Sequence, residues 1–245
     1  PADRMCSERP PDDYLKGLRA GVKGLHIGLP KTYFLEYATP DVGEAVREAA
    51  RTLERQGASI HDVDLPHLKY ALGAETAIIY AEPLAYHQKY IRQGKFDDYT
   101  DWNKASWDAA RYVTGSDYVQ AQRVRRFMIR DFEKAFEQVD VIFTPGTATE
   151  ANPIAEDLLT DKLPMRDVPA GKFSLWEIGV RMTFPGNLTG VPALVLPCGF
   201  SAAGLPLSLQ IMGRHFEEAK VYRVAAAYEQ ATEWHHRRPT PKADG

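Results

Sequence analysis

The sequence has little cysteine, no long apolar run, and none of the short motifs that announce an enzyme. Only Cys6 and Cys198 occur in 245 residues, too few and too far apart for a disulfide framework. Cys198 ends an apolar run and reads as a small buried hydrophobe, so a reducing, cytoplasmic setting is expected. No apolar segment approaches the roughly 20 residues that span a bilayer, and no signal peptide is legible, so no membrane partner is expected. Neither sign of charge dominates. Thirty basic and 33 acidic residues leave a net charge of −3, which gives no footing for direct nucleic-acid binding. Arg123, Arg125, Arg126 and Arg130 interleave with Val124, Phe127 and Met128 at helical spacing, the pattern of a solvated helix face. There is no phosphate-binding Walker loop, no Gly-x-Gly-x-x-Gly and no Gly-x-Ser-x-Gly elbow. The seven serines are isolated, and no two glycines are adjacent.

The remaining composition is that of an ordinary globular chain, 44% apolar and 26% charged. The opening stretch from Pro1 to Pro11 is polar and proline-rich, and residues 1–21 read as a connector entered from something upstream. Leu25, Ile27 and Leu29 alternate with small or polar residues as in a strand. Thr39-Pro40-Asp41 then predicts a helix start with a capping hydroxyl, and Val42, Ala45, Val46, Ala49 and Leu53 form its apolar stripe. Ile60 to Leu65 is a second strand, so residues 24–65 form a βαβ unit. Residues 68–92 read as helical, either kinked or split at Pro83. Residues 96–112, rich in Asp, Trp and Tyr, give no clear pattern. Tyr118–Glu137 is a helix, Val141–Phe143 a short buried strand, and residues 146–172 a long surface loop. A helix near 173–183, a strand from Ala193 to Pro197, a half-buried strand through Leu207, Leu209 and Ile211, and a helix from Glu217 to Trp234 complete the chain. The tail 237–245 reads as flexible. The expected fold is α/β, a mixed sheet covered by helices, with the last two strands antiparallel.

Chemistry is sparse. His235 and His236 are adjacent, so they point different ways and suggest no metal site. His26, His61, His67, His87 and His215 are scattered and read as surface or satisfied histidines. No metal or cofactor is expected. The informative stretch is Asn187-Leu-Thr-Gly-Val-Pro-Ala-Leu-Val-Leu-Pro-Cys-Gly-Phe200 followed by Gly204-Leu-Pro-Leu-Ser-Leu-Gln-Ile-Met-Gly213. Read from its residues alone it is a core hairpin, with Gly190, Pro192, Pro197 and Gly199 shaping its turns.

That stretch resembles the carboxy-terminal signature of the amidase-signature enzymes, a group of simple amidases and the A subunit of the glutamyl-tRNA(Gln) amidotransferase. Further likenesses follow in order: Val22 to Lys31, Ala45 to Gly57, Asp117 to Arg125, Phe136 to Pro145, and Glu217 to Pro239. The resemblance implies hydrolysis of carboxamide C–N bonds by a serine nucleophile, relayed through a second serine and a lysine. The Gly/Ser-rich segment bearing those groups belongs to the family's amino-terminal half. Nothing in this sequence matches it, so no catalytic residue is assigned. The chain reads as a single incomplete domain, 1–245, giving sheet core and substrate-pocket wall.

Within that wall, aligning on Thr183 and Asn187 places Arg181 where the amidotransferase branch carries an acid that contacts an amino group. A cation there would repel an ammonium and favour a carboxylate or neutral substrate. Trp102 and Trp107, with Tyr112, replace a more basic segment and either line an apolar acyl pocket or pack on one another. The expected partners are an amide substrate, the amino-terminal half, and a second copy of the chain if it exists alone, because an incomplete sheet leaves an open edge. The A subunit of a glutamine-dependent tRNA amidotransferase and a non-catalytic α/β binding module are the alternative readings.

Overall fold

The structure is a computed structural model that describes residues 6–152 and 165–238. Its strands are β1 (His26–Pro30), β2 (Ser59–Val63), β3 (Val141–Pro145), β4 (Met165–Val168), β5 (Gly171–Ser174), β6 (Ala193–Phe200) and β7 (Pro206–Gly213). Its helices are α1 (Pro40–Glu54), α2 (Ala71–Arg92), α3 (Asp101–Ala110), α4 (Gly115–Ala135), α5 (Leu175–Arg181), α6 (Phe184–Thr189) and α7 (Glu218–Gln230). Five strands form a sheet in the order β2-β1-β3-β7-β6. β1 is parallel to β2 and to β3, whereas β7 is antiparallel to both β3 and β6. β4 and β5 make a separate hairpin.

The sheet is mixed and covered by helices on both faces. On one face Ile27, Val141, Phe143, Leu209 and Ile211 meet Val42, Val46, Ala49 and Leu53 of α1 and Val221, Val224 and Tyr228 of α7. On the other, Val63, Ile142 and Met212 meet Met128 and Phe132 of α4, Ile178 of α5 and Leu188 of α6. Val42, Val46, Ala49 and Leu53 of the α1 stripe are fully buried and Ala45 is half-buried, and each such Val or Leu contributes about 1.5–3 kcal/mol. The exposed network of Arg51 and Arg55 with Glu44 and Glu48 on the outer side of α1 is screened by solvent and adds little. Burial therefore holds the helix to the sheet.

Several local expectations change. Thr39 precedes α1, but its hydroxyl caps nothing: its N–H and hydroxyl both donate to the Ala148 carbonyl, at 2.8 and 3.4 Å. It ties α1 to the loop after β3 instead. α2 runs unbroken through Pro83. α4 starts three residues earlier than the apolar stripe indicates, because Thr114 and Asp117 form a capping box. The region 146–172 contains β4 and β5, with 153–164 outside the described residues, as are 1–5 and 239–245. β7 is covered on both sides, so Gln210 is buried rather than solvent-facing.

Burial also sets a pH limit. It pushes the Cys198 thiol from its ordinary 9.0 up to about 12, and the Tyr33 phenol from 10.0 up to about 12. A group whose pKa is raised in the fold contributes stability that is full below the unfolded value and drains as pH rises through the folded one. The urea midpoint is therefore expected to hold below pH 9 and to fall between pH 9 and 12. Cys198→Ala should start lower but fall less steeply over that interval. An equally steep fall would show that the thiol is not held protonated by burial.

Candidate functional site

The parallel strands β1 and β3 end on the same side of the sheet, where α/β folds commonly gather ligand-binding loops. Here the loop 31–38 follows β1 and the loop 146–152 follows β3. A cleft of about 440 Å³ opens between the second loop, α5 and the paired ends of β6 and β7. Thr147, Thr149, Asn152, Leu175, Gly179, Val195 and Ser208 are among its walls. The backbone enters the cleft through Gly146, whose N–H donates to the Ser208 carbonyl at 3.0 Å. A Cβ there would lie 2.7 Å from Ser208 Oγ and 2.8 Å from Val195 Cγ1, so this close approach demands glycine.

One buried amide positions the α5–α6 junction, which adjoins the cleft although Arg181, Thr183, Asn187, Trp102 and Trp107 are not among its lining residues. Gln210 Nε2 donates to Thr144 Oγ1 at 2.9 Å and to the Met182 carbonyl at 3.1 Å. Both side chains are buried. This joins the centre of the sheet to the α5–α6 junction, which carries three of the residues singled out by sequence. Thr183 sits at the start of α6, its hydroxyl donating to the Val180 carbonyl at 3.2 Å and its carbonyl accepting the Asn187 N–H at 3.1 Å. Asn187 is exposed on α6. Gly190 ends α6 with a left-handed φ of 74°.

Arg181 is only 7% exposed. It pairs with Glu177 one turn earlier on α5. Its guanidinium carbon lies 4.0 Å from the Tyr37 ring centre and 5.2 Å from that of Phe173, within cation–π range. Its charge is thus matched by a carboxylate, where the sequence suggested an unmatched cation. Arg181 Nε and the Tyr33 hydroxyl, both buried, have no hydrogen-bond partner among the described residues. Tyr33 holds φ at +73°, a conformation that costs a non-glycine residue about 1–2 kcal/mol and is concentrated at functional sites.

The tryptophans do not converge on one pocket wall. Trp107 is 7% exposed and packs with His87 and Tyr99, at ring-centre distances of 5.1 and 5.8 Å. Trp102, on the same helix, is 53% exposed. Sequence reasoning missed Tyr33, Tyr37, Phe173 and Glu177. The Glu177–Arg181 spacing of four on a helix was the one available signal; the aromatic residues come from two distant segments.

A family model described as Amidase matches residues 1–222. The A subunit of the glutamyl-tRNA(Gln) amidotransferase of Chloroflexus aggregans is 37% identical, covering 98% of this chain and 51% of its own length. A solved bacterial aryl acylamidase of the amidase-signature family superposes with a TM-score of 0.78 at 26% identity, over 94% of this chain and 48% of that one. The A subunit of the glutamyl-tRNA(Gln) amidotransferase of Thermotoga maritima superposes with a TM-score of 0.71 at 27% identity, over 93% and 47%. This chain therefore spans about half the length of the relatives it matches. No helix among the described residues is long and apolar enough to cross a membrane. With the mixed α/β sheet and the cleft at its strand ends, these matches identify the chain as a member of the amidase family.

Proposed function

We propose that this chain is the carboxy-terminal half of an amidase-signature hydrolase that cleaves carboxamide C–N bonds. The nucleophilic serine, the relay serine and the lysine lie upstream of it. The observation that carries this reading is the coincidence of two lengths: a family match through residue 222 and coverage of only half of each relative. In such a reaction a serine oxygen attacks the amide carbon, the amine leaves, and water releases the acid. The hydroxyl needs a base, and a lysine kept neutral by its surroundings can serve.

In this reading the α5–α6 segment faces substrate, with Thr183 and Asn187 offering polar groups and the Arg181–Glu177 pair behind them. Glu177 and Arg181 together present both signs, so the wall is suited to a neutral amide and does not select against an amino group by charge alone. Trp107 holds α3 against α2, and Trp102 gives an apolar surface on the same helix. A second reading, the A subunit of a glutamine-dependent tRNA amidotransferase, is favoured by the 37% identity to a protein of that name. It adds partner subunits to the same hydrolytic chemistry.

The direct test is ammonia release from a panel of simple amides, comparing this chain alone with the complete gene product. Activity only in the complete product is expected. Activity in this chain alone would place the nucleophile among its own serines. A second test addresses the wall. Glu177→Gln leaves the Arg181 charge buried without its carboxylate and is expected to cost about 1–3 kcal/mol by urea unfolding. Replacing both partners, Glu177→Leu with Arg181→Met, should recover much of that loss while changing KM across the amide panel in the complete protein. An unchanged KM would remove the pair from the substrate site.

A further inference from the structure

At the opposite end of the parallel strands, the β1–β2 register sets His26 beside Ser59, and His61 follows two residues later on the same face of β2. Ser59 Oγ lies 2.8 Å from His26 Nδ1 and 2.9 Å from His61 Nε2, and the two ring nitrogens are themselves 2.9 Å apart. The three atoms form a near-equilateral triangle. Neutral imidazoles and one hydroxyl can fill only two of its edges with linear hydrogen bonds, whichever tautomers are present. The third edge is left without a linear bond: lone pair faces lone pair, N–H faces N–H, or, with one ring nitrogen protonated, an N–H already directed at the hydroxyl stands beside the other ring's lone pair. A cation above the triangle would instead meet three lone pairs at once.

The edges have hydrogen-bond lengths, and the same spacing is compatible with a shared ion. Donors at about 2.0–2.1 Å from a metal are about 2.9 Å apart when they subtend a right angle, and about 3.3 Å apart in a tetrahedron. The observed triangle matches the face of an octahedral or tetragonal site. Nitrogen-rich sites of that geometry suit Cu²⁺ and Ni²⁺. We propose that His26, His61 and Ser59 bind a divalent late first-row transition metal ion, Cu²⁺ or Ni²⁺, at the N-terminal end of the sheet.

The surroundings fit that assignment. Both histidines are exposed, so water can fill the remaining positions. The Asp140 carboxylate accepts the main-chain N–H of His26 at 2.9 Å and adds negative charge, partly offset by Lys220 at 3.0 Å. Among the described residues no three His, Cys, Asp or Glu side chains converge on one point. The third donor here is a hydroxyl, so the two imidazoles supply most of the affinity. The trio is poorly built as a nucleophile and its base. Among the described residues neither ring has a carboxylate on its other nitrogen, the arrangement that orients a catalytic histidine. Contrary to the expectation from their adjacency, the rings of His235 and His236 lie together, with centres 3.8 Å apart; this pair would compete for added metal and must be removed first.

The experiment titrates CuCl₂ or NiCl₂ by calorimetry into the complete gene product carrying His235→Ala and His236→Ala. Electron paramagnetic resonance of the copper form counts coordinated nitrogens. One ion per chain is expected, with two imidazole nitrogens on copper. His26→Ala or His61→Gln should each weaken binding by about tenfold or more, since loss of even an outer-shell partner costs that much, and should leave one of the two nitrogens. Ser59→Ala should have a smaller effect. Melting curves without metal should be unchanged, because the three side chains lie outside both cores. Equal affinity and an unchanged copper spectrum in the His26→Ala, His61→Ala double variant would overturn the proposal, as would no uptake by the parent protein.

Discussion

Gln210 stands in the middle of a sheet strand with helices on both sides, where an unpartnered amide would cost roughly 1–3 kcal/mol. Its two donors are used, one on Thr144 of the neighbouring strand and one on the Met182 carbonyl between α5 and α6. The sheet is held by apolar burial, but burial is non-directional. The hydrogen bonds of this one side chain specify where the α5–α6 segment stands over the strand ends. Thr183, Asn187, Glu177 and Arg181 take their places from that junction, and the cleft takes its width from α5.

The two outer strands of the sheet differ in kind. β2 presents Ser59 and His61 on one face and Asp62 on the other, with His61 and Asp62 exposed, and polar edge strands of this kind avoid pairing with another chain. β6 carries Val195 at 54% exposure beside a cleft lined by Leu175, Leu196 and Leu207. An apolar strand edge of that sort invites a covering partner. In the half-enzyme reading proposed above, the other half of the family fold would lie against β6, leaving β2 as an outer edge of the sheet.

Much of the architecture is legible in the sequence because it depends on local periodicity. The βαβ unit of residues 24–65 follows from alternation, a 3.6-residue stripe and Gly57, whose φ is +96°. The β6–β7 hairpin follows from its turn residues. α6 is hidden because Pro185 and Gly186 read as breakers, although proline is well suited to a helix's first turn. Gln210 misleads because alternation in β7 implies a wet face, and the sequence does not show that α4, α5 and α6 cover it. The candidate site is legible only where it is contiguous. Arg181, Thr183 and Asn187 lie on one segment, whereas Tyr33, Tyr37 and Phe173 reach Arg181 from elsewhere in the chain. The His26–Ser59–His61 triangle depends on the exact pairing of two parallel strands across a helix, which no local pattern encodes.

The proposed half-enzyme reading requires that β6, an outer strand here, gain a neighbour in the complete protein. Amide hydrogen exchange over Ala193–Phe200 tests it, measured in this chain alone and in the complete gene product. Strand hydrogen bonds to a new neighbour would slow exchange in the complete protein while β2 exchanges alike in both. Equal exchange of β6 in the two proteins would contradict the claim and leave this five-stranded sheet as the whole of its own fold.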